Sequence, residues 1–259
     1  MREFLVTLQL SKGLRSHQHS LEQPEGLVKC HNLRPRQAVL CPYTPLTPLL
    51  SDLPTDWPYP QVVKGRDKRY AFTRERVYEL DDGWEILSHM DTQVSPQWEY
   101  LDFGPYVLMS NGVQIFACSP STGDLELITS SSLPPMRTMC NYNGMIVGGG
   151  ISGLDPDWVA WSQVGHASFE IDRSGLAGRR PLMEVGEVFR ILPLGEGVVV
   201  YGSDGIGLLR LDPDIGAMAY RVISYSGIKG FGSVAGDKQE HVFIGSDNTL
   251  RVLTTEFQV

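Results

Sequence analysis

Four stretches between Arg69 and the C-terminus share one pattern: a short β-type run, a tight turn, then a second run alternating apolar with other residues. They read RYAFTRERVYEL from Arg69, YVLMSNGVQIFACS from Tyr106, VVVYGSDGIGLLRLD from Val198 and HVFIGSDNTLRVLTT from His241. A fifth, looser copy pairs GMIVGGG from Gly144 with DWVAWSQV from Asp157. Equivalent positions (Tyr70, Val107, Val147, Val199, Phe243) recur at uneven intervals of about 40 residues. A hairpin repeated at that period cannot bury both of its faces alone. Stacking successive copies buries them, which is the logic of a β-propeller. The expectation is an all-β chain whose residues 61–259 form a propeller of five blades. Four or six blades stay open, because the unit around Pro156–Pro181 is irregular. Turn dipeptides recur at Asp82-Gly83, Asn111-Gly112, Asn143-Gly144, Asp204-Gly205 and Asp247-Asn248. Such pairs suit hairpins because their central residues take φ > 0 at little cost. No window of a dozen residues keeps a 3.6-residue apolar stripe, so little helix is expected.

Charge divides the chain. Residues 1–60 hold six Lys/Arg and five Asp/Glu, leaving 16 basic and 25 acidic residues in the rest, a balance of −9 there. An acidic body does not grip nucleic-acid phosphates, which takes clustered Lys and Arg. No apolar run is long enough to span a bilayer, and MREFLVTLQLSKGL is too polar for a signal peptide. The four cysteines (Cys30, Cys41, Cys118, Cys140) show no CxxC spacing and are expected as free thiols.

Residues 1–60 read as an N-terminal strand and an extended arm. Glu3–Leu10 alternates, with Phe4, Val6, Leu8 and Leu10 on one side, and is expected to close the ring beside Leu250–Phe257. Residues 24–60 carry eight of the 17 prolines, which excludes a helix or an inner strand. The apolar residues of that arm, among them Tyr43, Leu46, Leu49, Leu50, Trp57 and Tyr59, are too many for a free linker. They need a surface to cover them, either the arm's own propeller or a neighbouring subunit.

Chemistry-bearing groups are sparse. His17, His19, Cys30, His31 and Cys41 crowd together, but their spacing matches no zinc pattern. Asp82, Asp102, Asp204 and Asp247 recur often enough to consider as paired glycosidase carboxylates. Three of them fall in hairpin turns, where Asp is favoured for backbone reasons alone. Gly144–Gly150 is glycine-rich but lacks the Lys-Ser/Thr of a phosphate loop, so glycine there serves close backbone approach. Trp158, Trp161, Tyr201 and Tyr220 read as filling between blades. No cofactor or metal is expected.

Two segments carry a resemblance. In SLEQPEGLVKCHNLRPRQAVLCPYTPLTP (Ser20–Pro48), Leu21, Pro24, Gly26, Leu27, Asn32, Leu33, Arg34 and Leu40 occupy the places of a pattern that opens many tail proteins of tailed bacteriophages. In DWVAWSQVGHASFE (Asp157–Glu170), Trp161, Ser162, Gly165 and Phe169 match a second element of those proteins, with His166-Ala167 where they carry Asp-Pro. The chain thus resembles the β-propeller nozzle, ring or baseplate components of phage tails, over about half its length. The resemblance implies a non-catalytic virion protein, assembled in the host bacterial cytoplasm into a homo-oligomeric ring. Its partners would be other tail, portal or adaptor proteins, with passing DNA near an acidic wall and no insertion into membrane. Two other classes stay open: a carbohydrate-binding or glycoside-hydrolase propeller, and a WD40- or kelch-like adaptor. The latter is weakened by the lack of GH…WD pairs. If the arm joins subunits, replacing Leu49, Leu50 and Trp57 with Ser is expected to leave the propeller folded and to block incorporation into particles. Normal incorporation of that variant contradicts the reading.

Overall fold

The computed structural model describes residues 33–36, 39–42, 61–64, 68–73, 76–80, 85–89, 98–104, 106–119, 123–172, 175–212 and 217–257. The chain divides into two compact units, Met1–Asp52 and Leu53–Val259. In the first, β1 (Leu33–Arg36) and β2 (Val39–Pro42) form an antiparallel hairpin. A two-stranded sheet is all edge, which is where Pro35 and Pro42 are tolerated. The expected strand Glu3–Leu10 lies outside the described residues, as do the arm residues Tyr43, Leu46, Leu49, Leu50, Trp57 and Tyr59.

The second unit is a β-propeller array of five antiparallel sheets, each built from strands consecutive in sequence. The first sheet holds β3 (Gln61–Lys64), β4 (Arg69–Phe72), β5 (Arg76–Glu79) and β6 (Glu85–His89). The second holds β7 (Glu99–Phe103), β8 (Tyr106–Ser110), β9 (Ile115–Cys118) and β10 (Leu125–Leu127). The third holds β11 (Met136–Tyr142), β12 (Met145–Ile151), β13 (Trp158–Trp161) and β14 (Gly178–Pro181). The fourth holds β15 (Val188–Leu194), β16 (Gly197–Gly202), β17 (Ile206–Asp212) and β18 (Ala217–Ser224). The fifth has three strands, β19 (Val234–Gly236), β20 (Glu240–Ile244) and β21 (Leu250–Thr254). No helix occurs among the described residues.

In the four-stranded sheets each repeated stretch is the middle hairpin, β4–β5, β8–β9, β12–β13 and β16–β17, and in the three-stranded fifth sheet it is the last two strands, β20–β21. Middle strands have neighbours on both edges and on both faces, so their residues must be apolar at most positions. β16 (GVVVYG) is buried along its whole length. Outer strands need less, and GRRP of β14 and LEL of β10 are partly exposed.

Four apolar seams join successive sheets. Tyr70, Phe72 and Val77 of the first pack on Val107, Met109 and Phe116 of the second, with the rings of Phe72, Trp98 and Phe116 in mutual contact. Leu101 and Ile115 meet Met136 and Ile146. Val147 and Val159 meet Val188, Val198 and Val200, and Tyr201 and Leu208 meet Phe243 and Leu253. Polar tethers cross the same seams. Ser110 Oγ accepts from the Met136 N–H at 3.0 Å, and Thr138 Oγ1 accepts from the Ile191 N–H at 3.0 Å.

Glycine sets how closely the sheets approach. A Cβ on Gly149 would lie 2.6 Å from Val188 Cγ1, across the third seam, as the glycine-rich text of β12 leads one to expect. The turns divide into two kinds. Asn143-Gly144 takes φ of 50° and 77°, and Asn248 takes 63°, as their residue types favour. Asp204-Gly205 differs from expectation, since neither residue has positive φ among the described residues. There the glycine is needed for space, because a Cβ would sit 2.3 Å from the Glu184 carbonyl oxygen.

Substituting Gly149 with Ala overpacks the third seam. The expected cost is about 1–3 kcal/mol, read as a melting temperature lower by roughly 2–4 °C per kcal/mol. An unchanged midpoint contradicts this account of the seam.

Candidate functional site

Two regions of the second unit stand out. The first lies on the leading strands of the sheets, where β11 contacts both β7 and β15. Glu99 on β7 forms an ion pair with Arg190 on β15, reaching past the intervening third sheet. Glu99 is 7% exposed, and burial pushes its carboxyl up to about 7 although Arg190 pulls the other way. A parallel pair joins Arg137 Nη1 to Glu187 Oε1 at 2.5 Å. The Arg137 guanidinium lies over the Phe231 ring, which tilts against Phe189. The same burial raises the Cys140 thiol, which is free like that of Cys118. A buried carboxyl poised near neutrality beside a guanidinium can hold or release a proton, and such perturbed groups are where function is sought first.

The second region is the far face of the fifth sheet. Cross-strand pairs Val242–Val252 and Ile244–Leu250 set four aliphatic side chains in one block. They are between 38% and 72% exposed. The opposite face carries Phe243, Leu253 and His241, all buried against the fourth sheet. His241 is locked there: Nδ1 stands 2.9 Å from Tyr201 Oη and Nε2 stands 3.1 Å from the Pro193 carbonyl oxygen. The carbonyl only accepts, so Nε2 carries the proton and Nδ1 accepts from the tyrosine. Burial lowers the His241 pKa. β20 is therefore apolar on both faces (Val242, Phe243, Ile244), the composition of a strand covered on both sides, while among the described residues only one side is packed against another sheet.

The carboxylates singled out from sequence fall in separate places. Asp102 is exposed on β7 and accepts from the Tyr100 hydroxyl at 2.6 Å, which raises that phenol to about 12. Asp204 sits in the β16–β17 turn, its N–H bonded to the Val185 carbonyl at 3.0 Å. Asp247 organises the β20–β21 turn, accepting from Thr249 and pairing with Arg251 at 2.7 Å, and these bonds lower its pKa. Asp82 lies outside the described residues, as do His17, His19, Cys30 and His31 and the side chain of Cys41. Among the described residues no group of three His, Cys, Asp or Glu is placed to hold a metal ion.

Of the four aromatic residues, Trp161 and Tyr201 fill seams between sheets as expected, whereas Trp158 and Tyr220 are half-buried. Trp161 is buried and donates to the Leu176 carbonyl at 2.7 Å, and Tyr201 is fully buried. Arg180 stacks on Tyr220, and Arg179 lies 5.6 Å over Trp158. The segment Asp157–Glu170 is anchored at several separate points. Ser162 Oγ accepts from the Ile146 N–H at 2.9 Å, Gly165 turns the chain at φ 73°, and Phe169 packs against the second seam. Sequence reasoning missed the Glu99–Arg190 pair, since 91 residues separate its members and neither sits in a motif. It also missed the open face. The run Val242-Phe243-Ile244 held the signal, because three consecutive apolar residues in a strand ask for cover on both sides.

A comparison with protein-family models and with curated proteins finds no match. Among solved structures the chain is similar to the N-terminal domain of Nup159 (10% identity, TM-score 0.42, covering 77% of this chain and 60% of that one). It is also similar to a quinoprotein alcohol dehydrogenase-like protein from Bacteroides thetaiotaomicron (11%, TM-score 0.48, covering 80% and 54%). A third likeness is to apo AztD from Citrobacter koseri (12%, TM-score 0.45, covering 77% and 57%). The chain spans less than two thirds of each of these proteins, and at such scores the likenesses carry nothing about function.

Ionisation of Glu99 sets a pH dependence. Its folded pKa of about 7 exceeds the ordinary 4.5, so the stability it contributes is full below pH 4.5 and lost as pH rises through about 7. Glu99→Gln removes that dependence. The melting temperature of the variant relative to wild type is expected to rise between pH 5 and 8, by an amount on the order of 2–3 kcal/mol in stability. His241, whose contribution is lost as pH falls through its lowered pKa, is common to both proteins and cancels. Parallel melting curves across that range contradict the assignment.

Proposed function

We propose that this chain is a non-catalytic structural subunit of a bacteriophage tail, acting in a nozzle, ring or baseplate through contact with neighbouring subunits. The observation that carries the proposal is the uncovered aliphatic face of the fifth sheet. Four contiguous aliphatic side chains exposed on a rigid sheet mark a surface that another protein covers. The two segments that resemble tail proteins support the particular assembly. Of the matching residues of the second, Trp161 is anchored in the third seam, Ser162 holds the Ile146 N–H, Gly165 turns the chain and Phe169 packs on the second seam. An array of sheets tied by apolar seams and ion pairs suits a part that must keep its shape under load. In this reading the Glu99–Arg190 pair is a strut between alternate sheets. Portal, adaptor and other tail proteins are the proposed partners, with the virion tail as the location.

Val242→Glu with Leu250→Lys tests this directly. Both side chains are exposed in the isolated chain, so stability is expected to change by no more than about 0.5 kcal/mol per site. Incorporation into particles, scored by complementation of a phage lacking the protein, is expected to fail. Particles that assemble normally with the variant overturn the proposal.

A further inference from the structure

A polar side chain reaches across each of the four seams, and the four are not alike. The Trp98 indole N–H donates to the Thr73 carbonyl at 2.8 Å across the first. Ser110 and Thr138 accept main-chain N–H groups across the second and third. The fourth is crossed by an imidazole, that of His241. Indole and hydroxyl groups keep their protons throughout the physiological range, whereas an imidazole changes charge within it. His241 has no exposed surface and lies in the apolar seam with Phe243 and Leu253. Its neutral form satisfies both ring nitrogens, Nε2–H on the Pro193 carbonyl and Nδ1 on the Tyr201 hydroxyl. Protonation puts a hydrogen on Nδ1 that points at Tyr201 Oη. The hydroxyl must then accept, and its own hydrogen has to turn elsewhere. Tyr201 is fully buried, and its hydroxyl has no other hydrogen-bond partner among the described residues. A buried cation and a buried hydroxyl hydrogen without an acceptor each cost free energy.

Among the described residues, Tyr201 from β16 and Asp237 from the β19–β20 turn are the titratable groups that act on the ring. β15, β19 and β21 meet it with the Pro193 carbonyl, Gly236 and Leu253. Asp237 favours the imidazolium, but its carboxylate is committed to the turn, where Oδ1 accepts from the Gln239 N–H at 2.7 Å and the Glu240 N–H at 3.2 Å. Burial outweighs it and lowers the pKa of the ring. The second, third and fourth sheets are held on both faces, whereas the fifth is packed against a described sheet on one face only. We propose that His241 is an acid-sensitive latch: its protonation parts the fourth seam, and the fifth sheet, Val234–Thr254, loosens from an array that stays folded. Release of a partner from Val242, Ile244, Leu250 and Val252 on acidification is the consequence for assembly, and that consequence rests on the proposed docking role of this face. The latch itself does not.

Hydrogen–deuterium exchange of the full-length chain tests this, read peptide by peptide from pH 7.5 to pH 5 and corrected for the intrinsic exchange rate. In a loosened fifth sheet His241 titrates at the ordinary 6.5, so at pH 5 the loosened form gains by as much as roughly thirtyfold. Protection across Val234–Thr254 is therefore expected to fall by about tenfold at pH 5. That of β12 in the third sheet is expected not to fall. In His241→Gln the side chain offers one donor and one acceptor at every pH, so the fifth sheet is expected to keep its protection. Protection that is retained at pH 5, that falls equally in β12, or that falls just as far in His241→Gln overturns the inference. If that variant does not fold, the wild-type profile decides. Protection is expected to begin falling near pH 6.5 with a slope approaching about one proton, and a fall confined to the carboxylate range below about pH 5 overturns the inference. If the latch holds and the chain never enters particles, the tail reading fails alone. If the chain enters particles and its exchange shows no such fall, the latch fails alone.

Discussion

The apolar seam between successive sheets is what the rest of this structure depends on. A single antiparallel sheet of four short strands has two faces and cannot bury both. Here the second, third and fourth sheets each lend one face to the sheet before and one to the sheet after. Valine rows do most of this in the third seam, where Val147 and Val159 meet Val188, Val198 and Val200. Aromatic rings do it in the first, around Trp98. The polar groups caught in the seams are satisfied across them, as Ser110, Thr138 and His241 show. Gly149 sets how near two sheets come. Loops, turns and ion pairs adjust a stack that the seams already define.

That dependence explains why the fifth sheet matters. Each of the first four sheets shares an apolar seam with the next sheet in the chain. The fifth presents Val242, Ile244, Leu250 and Val252 with no described sheet beyond them. Its far face has the chemistry of a seam without a second half. The proposed assembly role is the simplest use of such a face, and the Glu99–Arg190 strut gives the stack a polar brace that responds to pH.

Much of the fold was legible in the sequence for a physical reason. Middle strands are enclosed on all sides, so VVVYGSDGIGLLRLD and its relatives keep a dense β pattern around a turn. The flanking strands were harder to see. β14 reads GRRP and β10 reads LEL, because an outer strand meets solvent along one edge and tolerates charge. The β1–β2 hairpin was hidden by proline, which is compatible with strands only where both are edges. The turn at Asp204-Gly205 was read for the wrong reason: its glycine clears the Glu184 carbonyl and does not supply positive φ. Of the functional region, the alternation in HVFIGSDNTLRVLTT was plain, but which face stays open depends on a neighbour that sequence does not place. Glu99 and Arg190 meet only because the first strands of alternate sheets converge, a juxtaposition no local pattern encodes.

The most direct measurement of the central claim is an electron cryo-microscopy map of the native assembly that contains this chain. The account expects protein density packed without a solvent layer against Val242, Ile244, Leu250 and Val252, with the five sheets stacked as described. A map in which that face looks onto open solvent in every copy contradicts it.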